Sequence, residues 1–241
     1  MCSTPKPNRS WPSAEAPLAA RIRACTRCPA LVRCRNAPAP GAGPEDARLM
    51  IVGMAPGRLG ADRTGVPFLG DRSGSRLRGA LGSALAGVYI TNAVKCSPKT
   101  CRWMKEASCR PSRHEITGGR CRVDGVACRP RNRDPVPEEV RNCAPYLGEE
   151  VTVVRPVGIL ALGRPAEAAV DMALGLVPSR RPPGRPTGFR PFVVYLPHPA
   201  SLHYHPEWDR TFDRWLSEIS VMAGVTPAPG HPFYQVEPER G

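Results

Sequence analysis

The residues able to do chemistry gather at three kinds of place in this chain. The first is a loop. The apolar run Leu49–Val52 breaks into GMAPGRLGADRTGVPFLGDRSG (53–74), which holds one aromatic, Phe68, and two acids, Asp62 and Asp71. An apolar strand ending in a Gly/Pro-rich loop is how open α/β sheets build a ligand crevice at the carboxyl ends of their strands. Glycines let backbone N–H groups approach a ligand, and Pro56 and Pro67 stiffen the path. The familiar phosphate cradles are excluded: no Gly-Lys-Ser/Thr tripeptide occurs, and Gly53, Gly57 and Gly60 do not fit G-x-G-x-x-G. The alternative is an ordinary surface loop, but structureless loops of about 20 residues are uncommon unless functional or disordered.

The second kind of place is a strand end. Asn92 closes the apolar run Val88–Asn92, and His198 follows the run Phe192–Leu196. A carboxamide offers one acceptor and two donors to a ligand edge, or simply caps a turn. The histidine is a proton donor or a structural residue. The third is the cysteines, ten in all. Cys25-x-x-Cys28 has the spacing of a two-ligand clip for a metal centre. A redox dithiol shares that spacing, but the strand that would precede it is missing. Cys34, close behind, is either a further ligand or a thiol outside the ligand set. The N-terminus lacks a signal-type apolar segment and no stretch of about 18 apolar residues exists. The expected compartment is therefore the reducing cytosol, where clustered cysteines bind metal more readily than they form disulfides.

These groups need a scaffold. Helical periodicity marks Ala16–Ala24, Ser75–Leu85, a helix opening at Pro137 and running through Leu147, and Glu207–Met222. Apolar, β-branched runs mark strands at Leu49–Gly53, Val88–Asn92, Val157–Leu162 and Phe192–Leu196. Those runs lack clean alternation, as expected for parallel strands covered on both faces. Helical segments between them imply right-handed βαβ crossovers. The apolar spacing of Trp208, Phe212, Trp215, Leu216 and Ile219 assigns the last helix's aromatics to the core. Residues 1–15 and 224–241 read as loosely ordered arms.

The formal charge of +13 favours a polyanionic partner, whether nucleic acid or an acidic membrane face. Much of it sits in the segment 97–134, with ten Lys/Arg against four Asp/Glu. That segment also holds Cys101, Cys109, His114, Cys121 and Cys128. It reads equally as a small zinc site or as a basic, partly disordered loop, and in either case as a contact for phosphates.

The loop 53–74, together with RIRACTRCP (21–29), ITNAVKC (90–96), EEVRNCAPYL (138–147) and HPASL (198–202), resembles the iron–sulfur uracil-DNA glycosylases, specifically their family-5 branch. The resemblance implies an α/β fold, a three-layer α/β/α sandwich on a central four-stranded parallel sheet. It implies one domain over 1–241 interrupted by the insert at 97–134, since relatives have a much shorter linker there. It further implies a 4Fe-4S cluster on Cys25, Cys28, Cys96 and Cys143. The implied activity is excision of uracil, and of other deaminated bases such as hypoxanthine, from DNA by a monomer in the bacterial cytosol. Gly53, Ala55, Pro56, Gly57, Phe68 and Asn92 are the expected base contacts. Leu202 is the expected wedge into the gap left by the flipped nucleotide, and His198 the expected donor to the leaving base. Family-4 relatives carry an acid after the first glycine of the loop. Met54 stands there and cannot act as a base, so Asp71 is assigned to water activation, with Asp62 second. The alternative is a non-catalytic iron–sulfur or zinc protein of the same fold that binds nucleic acid.

Overall fold

In a computed structural model the described residues are 16–100, 114–117, 120–123, 126–127, 131–176, 183–188 and 191–225. Four five-residue strands form the main sheet: β1 (Leu49–Gly53), β2 (Val88–Asn92), β3 (Gly158–Leu162) and β4 (Phe192–Leu196), all parallel, in the order β2-β1-β3-β4. Every residue in them is buried. The helices are α1 (Ala16–Arg23), α2 (Pro29–Cys34), α3 (Ala61–Thr64), α4 (Arg72–Leu81), α5 (Pro137–Val154), α6 (Arg164–Leu174) and α7 (Asp209–Met222).

Side chains alternate between two cores, as a pleated strand requires. Met50, Val52, Ile159, Ala161 and Val193 face α5 and α6 through Val140, Leu147, Ala166 and Val170. Leu49, Ile51, Leu160, Leu162 and Val194 face α4 and α7 through Leu77, Leu81, Phe212 and Leu216. Each face is apolar, so the strands lack the polar alternation of a one-sided sheet, and the layers are α/β/α.

The register aligns the strand ends. Gly53 pairs with Asn92 and Leu162 with Leu196. From β1 the chain crosses to β2 on one side, while β3 lies on the other, so the order reverses beside β1. Ligands of open α/β sheets bind beyond the carboxyl ends at such a point.

Several expected boundaries shift for local reasons. Helix α4 opens at Arg72 rather than Ser75 because Asp71 caps it, accepting a hydrogen bond from the Gly74 N–H at 2.9 Å. It stops at Leu81, and a 3-10 turn, Gly82–Gly87, completes the connection to β2. Helix α5 passes through Pro145 and continues to Val154. Trp208 is not core: it sits 39% exposed in a 3-10 turn, Pro206–Trp208, before α7 begins. Within the insert, Lys99–Thr100 pairs with Arg131–Asn132, and His114–Thr117, Arg120–Val123 and Val126–Ala127 form an antiparallel sheet. Cys101, Cys109 and Cys128 lie outside the described residues, as do the arms at 1–15 and 226–241. Among the described residues no helix is long and apolar enough to cross a membrane.

Two buried ion pairs pin the chain just after β2. Lys95 Nζ donates to Glu150 Oε2 at 2.6 Å, to Thr91 Oγ1 at 2.6 Å and to the Asn92 carbonyl at 2.8 Å, while Glu150 Oε1 accepts from the Gly41 N–H. Lys95 is 1% and Glu150 0% exposed. Lys99 Nζ binds Asp62 and the Cys34 carbonyl, and Asp62 also takes both nitrogens of Asn36. Removing one partner of a buried pair strands the other charge, typically at a cost of about 3–5 kcal/mol. The Glu150→Ala variant should therefore lose about 3–5 kcal/mol of unfolding free energy in a urea titration. Arg21→Ala, which breaks an exposed pair with Glu149, should leave the midpoint unchanged.

Candidate active site

Beyond the carboxyl ends of β1 and β2 lies a cavity of about 200 Å³. Sites for drug-sized ligands run to roughly 300–1,000 Å³, so this one suits a single small ring. Its walls include Met54, Ala55, Pro56 and Gly57 from the loop after β1, together with Phe68, Asp71, Asn92 and His198. The structure thus brings together four groups that are up to 130 residues apart in the chain.

Gly53 lies under that wall. A Cβ there would stand 2.5 Å from Asn92 Oδ1 and 2.5 Å from Phe68 Cζ, so the carboxamide and the ring occupy the space a side chain would take. Phe68 adopts φ 52°, a region that a bulky residue enters only under constraint. Arg78 supplies that constraint by donating to the Phe68 carbonyl at 2.7 Å and to the Pro67 carbonyl at 3.0 Å. The Phe68 ring stacks on His198, with centroids 5.8 Å apart and planes 29° apart. Asn92 is 2% exposed, and its Nδ2 is buried without a hydrogen-bond partner among the described residues. A buried amide nitrogen left unpaired costs about 1–3 kcal/mol, and such groups call for a reason. Here the amide borders a cavity that a ligand acceptor would enter.

Asp71 does two things at once. One carboxylate oxygen caps α4; the other, Oδ2, lies against the loop, where a Cβ at Gly57 would stand 2.5 Å from it. Glycine at that position is what admits the carboxylate. His198 lines the same cavity. Its Nδ1 accepts from the Ala200 N–H at 3.1 Å, so the neutral ring carries its proton on Nε2. Burial pushes its pKa down to about 4, against the opposing pull of Asp71 and Asp134. The ring is therefore neutral at pH 7 and is a hydrogen-bond donor, not a cation.

Two expectations are placed differently. Asp62 is 0% exposed and bound by Lys99 and Asn36, so it is a structural anchor with no oxygen for the pocket. Leu202 is 6% exposed and packs in the core with Leu196 and Phe212, so it does not project as a wedge. Conversely, Asn132 and Arg133 at the base of the insert line the pocket, together with Pro98. Asn132 Oδ1 accepts from the Arg58 N–H at 3.0 Å, and Arg133 forks onto Glu139. Only the charge of Arg133, as part of the basic insert, was legible, because a two-residue ribbon is too short to leave a pattern.

Away from the pocket, the four cysteines approach one another from four segments. Cys25 follows α1, Cys28 precedes α2, Cys96 follows β2 and Cys143 lies on α5. Cys96 feels the charges of Cys25 and Cys28, and Cys143 those of Cys96 and Cys28. Burial raises the pKa of Cys28, Cys96 and Cys143, the last to about 11. Thiols so disposed are poor nucleophiles. Arg35 Nη1 donates to Cys96 Sγ at 3.1 Å, Asn142 Nδ2 to Cys28 Sγ at 3.5 Å, and the Lys95 N–H to Cys143. Among the described residues no three His, Cys, Asp or Glu side chains are gathered closely enough to hold a metal ion. Four thiols with N–H groups directed at three of them are a donor set of the kind that holds a thiolate-bound metal centre.

Comparison with known proteins agrees with this arrangement. The sequence profile described as the uracil DNA glycosylase superfamily matches residues 40–219. A type-5 uracil-DNA glycosylase of Pyrobaculum aerophilum is 31% identical over 217 residues, covering 76% of this chain and 82% of that protein. A type-5 uracil-DNA glycosylase of Thermus thermophilus is 31% identical, covering 67% and 74%. A type-4 uracil-DNA glycosylase of Archaeoglobus fulgidus is 28% identical, covering 84% and 90%. With its sheet, its pocket and three-quarters of its length accounted for, the chain belongs to the uracil DNA glycosylase superfamily.

Proposed function

We propose that this protein excises uracil from DNA by hydrolysing the N-glycosidic bond, leaving an abasic site. The observation that carries this reading is the buried carboxamide of Asn92, whose Nδ2 has no hydrogen-bond partner among the described residues, beside Phe68 in a cavity sized for one base. A uracil edge presents O4 as acceptor and N3–H as donor, which a carboxamide matches when its nitrogen donates to O4 and its oxygen accepts from N3–H. The nucleotide must leave the stack to reach such a pocket. Phe68 then covers the base, and Met54, Ala55, Pro56 and Gly57 enclose it.

As the bond to the sugar breaks, the base gains negative charge. The neutral His198 Nε2–H donates to its carbonyl oxygen, a hydrogen bond that strengthens in the transition state. Asp71 Oδ2 orients water toward the sugar carbon and offsets the positive charge developing there. The free carboxylate oxygen and the committed one have separate jobs. Cys25, Cys28, Cys96 and Cys143 would hold a 4Fe-4S cluster, which supplies a structural tie between α1, α2, the end of β2 and α5 rather than a step of the reaction. The basic insert would contact phosphates and set register without reading sequence.

Four experiments test this. Purified protein on oligonucleotides bearing a single uracil, hypoxanthine or xanthine should yield alkali-labile abasic sites, uracil being cleaved; no product from any lesion would refute the reading. Asp71→Asn keeps a helix cap but loses the charge. It should retain the wild-type melting midpoint and lose about 10²–10⁴ in kcat. Equal loss of stability and activity would make Asp71 a cap alone. The depressed pKa of His198 means the unfolded chain binds its proton first, between pH 6.5 and about 4. The stability His198 contributes is thus full above pH 6.5 and lost as pH falls toward 4. Correspondingly, kcat/KM should show no histidine limb between pH 5 and 8, and a limb near 6.5 that His198→Gln abolishes would overturn the neutral-donor role. For the cofactor, iron and inorganic sulfide should co-purify with the chain and vanish in Cys143→Ala; stoichiometric zinc would reassign the four ligands.

A further inference from the structure

A nucleotide that leaves a duplex opens a hole between its neighbours, and an apolar side chain that fills it keeps the base out. Leu202 cannot do this from where it lies, since its side chain is part of the core packed against α7. Two residues further on, Tyr204 is 83% exposed, more than any other large hydrophobic side chain among the described residues. Single exposed apolar residues are common and need no explanation, so exposure alone decides nothing. The location does. Tyr204 terminates the 3-10 turn Pro199–His203, whose cap His198 and second residue Ala200 both line the base pocket. Residues two apart on so tight a turn point to different sides, so an inward Leu202 leaves Tyr204 outward, four residues past the pocket-lining Ala200.

The turn is also stiff. The N–H groups of Tyr204 and His205 both donate to the Ser201 carbonyl, at 2.9 and 3.1 Å. The His205 ring stacks on Trp208 with centroids 4.2 Å apart and planes 14° apart. The backbone beneath Tyr204 is thereby held while its ring stays in solvent.

We propose that Tyr204, in place of Leu202, enters the duplex and stacks in the gap left by the extruded nucleotide. A tyrosine has a flat face that stacks on any base, only two side-chain torsions to fix, and a hydroxyl that stays wet. The assignment rests on the glycosylase reading above. The test uses full-length protein and one uracil oligonucleotide, either single-stranded or paired with its complement. Tyr204→Ala should lower excision from the duplex about tenfold, in line with the worth of one stacked base, and leave single-strand excision within about twofold. Tyr204→Phe and Tyr204→Trp should restore the duplex rate. With 2-aminopurine beside a non-hydrolysable fluorinated deoxyuridine, Tyr204→Ala should leave the probe brighter than wild type, because nothing restacks on it. Leu202→Ala should lower the melting midpoint and slow both substrates alike. Equal loss on both substrates in Tyr204→Ala, no loss on either, or a duplex-selective defect in Leu202→Ala would overturn the assignment while the glycosylase reading stands. A wild-type protein inactive on both strands would instead remove the reading on which it rests.

Discussion

Position 53 can hold no side chain. Strand β1 ends there, and the volume a Cβ would claim is already shared by the Phe68 ring and the Asn92 carboxamide. That crowding makes the pocket. It presses the aromatic and the amide into one another's reach, although they belong to a loop and to the neighbouring strand. The consequences spread outward. Phe68 must take a left-handed backbone to turn its ring back under the sheet edge. Its carbonyl then faces α4, where Gly74 again leaves room that a Cβ would fill. Arg78 ties the carbonyl down. A strained residue persists only where its surroundings over-determine it, and here a helix, a guanidinium and two glycines do so.

The sheet was the most legible part of the sequence. The runs at 49–53, 88–92 and 192–196 coincide with strands residue for residue, because each is short, apolar and bounded by breakers. Catalytic-type residues at strand ends were legible for the same reason: Asn92 and His198 stand where the apolar pattern stops. Helix starts were less so. Arg72–Leu81 opens three residues early because a carboxylate caps it, and cap geometry leaves only one residue type as its trace. What composition could not supply was partnership. Asp62 and Asp71 lie nine residues apart in one loop, yet one is neutralised by Lys99 and the other opens onto the cavity. Likewise Leu202 in HPASL carried a role by resemblance, while its packing depends on a core that gathers residues as distant in the chain as Leu77 and Phe212.

The cysteine end and the pocket are not independent. Lys95 touches both: its ammonium holds the Asn92 carbonyl, and its backbone N–H is directed at Cys143. Glu150, which completes that buried pair, lies two helical turns beyond Cys143 on α5. A buried ion pair is weak evidence for net stability, but it does fix which segments lie together. Here it fixes the end of β2 against α5, and so sets the direction in which Asn92 enters the pocket.

The insert meets the same site from the other side. Its closing ribbon, Lys99–Thr100 with Arg131–Asn132, roots it at the cavity mouth rather than on a remote face. Asn132 is pinned to the loop after β1 through Arg58, and Arg133 to the start of α5 through Glu139. Lys99, at the first strand of that ribbon, is buried against Asp62 of α3. The root of the insert is thus bonded to three elements that frame the pocket. Under the proposed function, phosphates attracted by Arg131 and Arg133 at this root would lie beside the opening through which a base passes, so charge and cavity would act on one stretch of DNA.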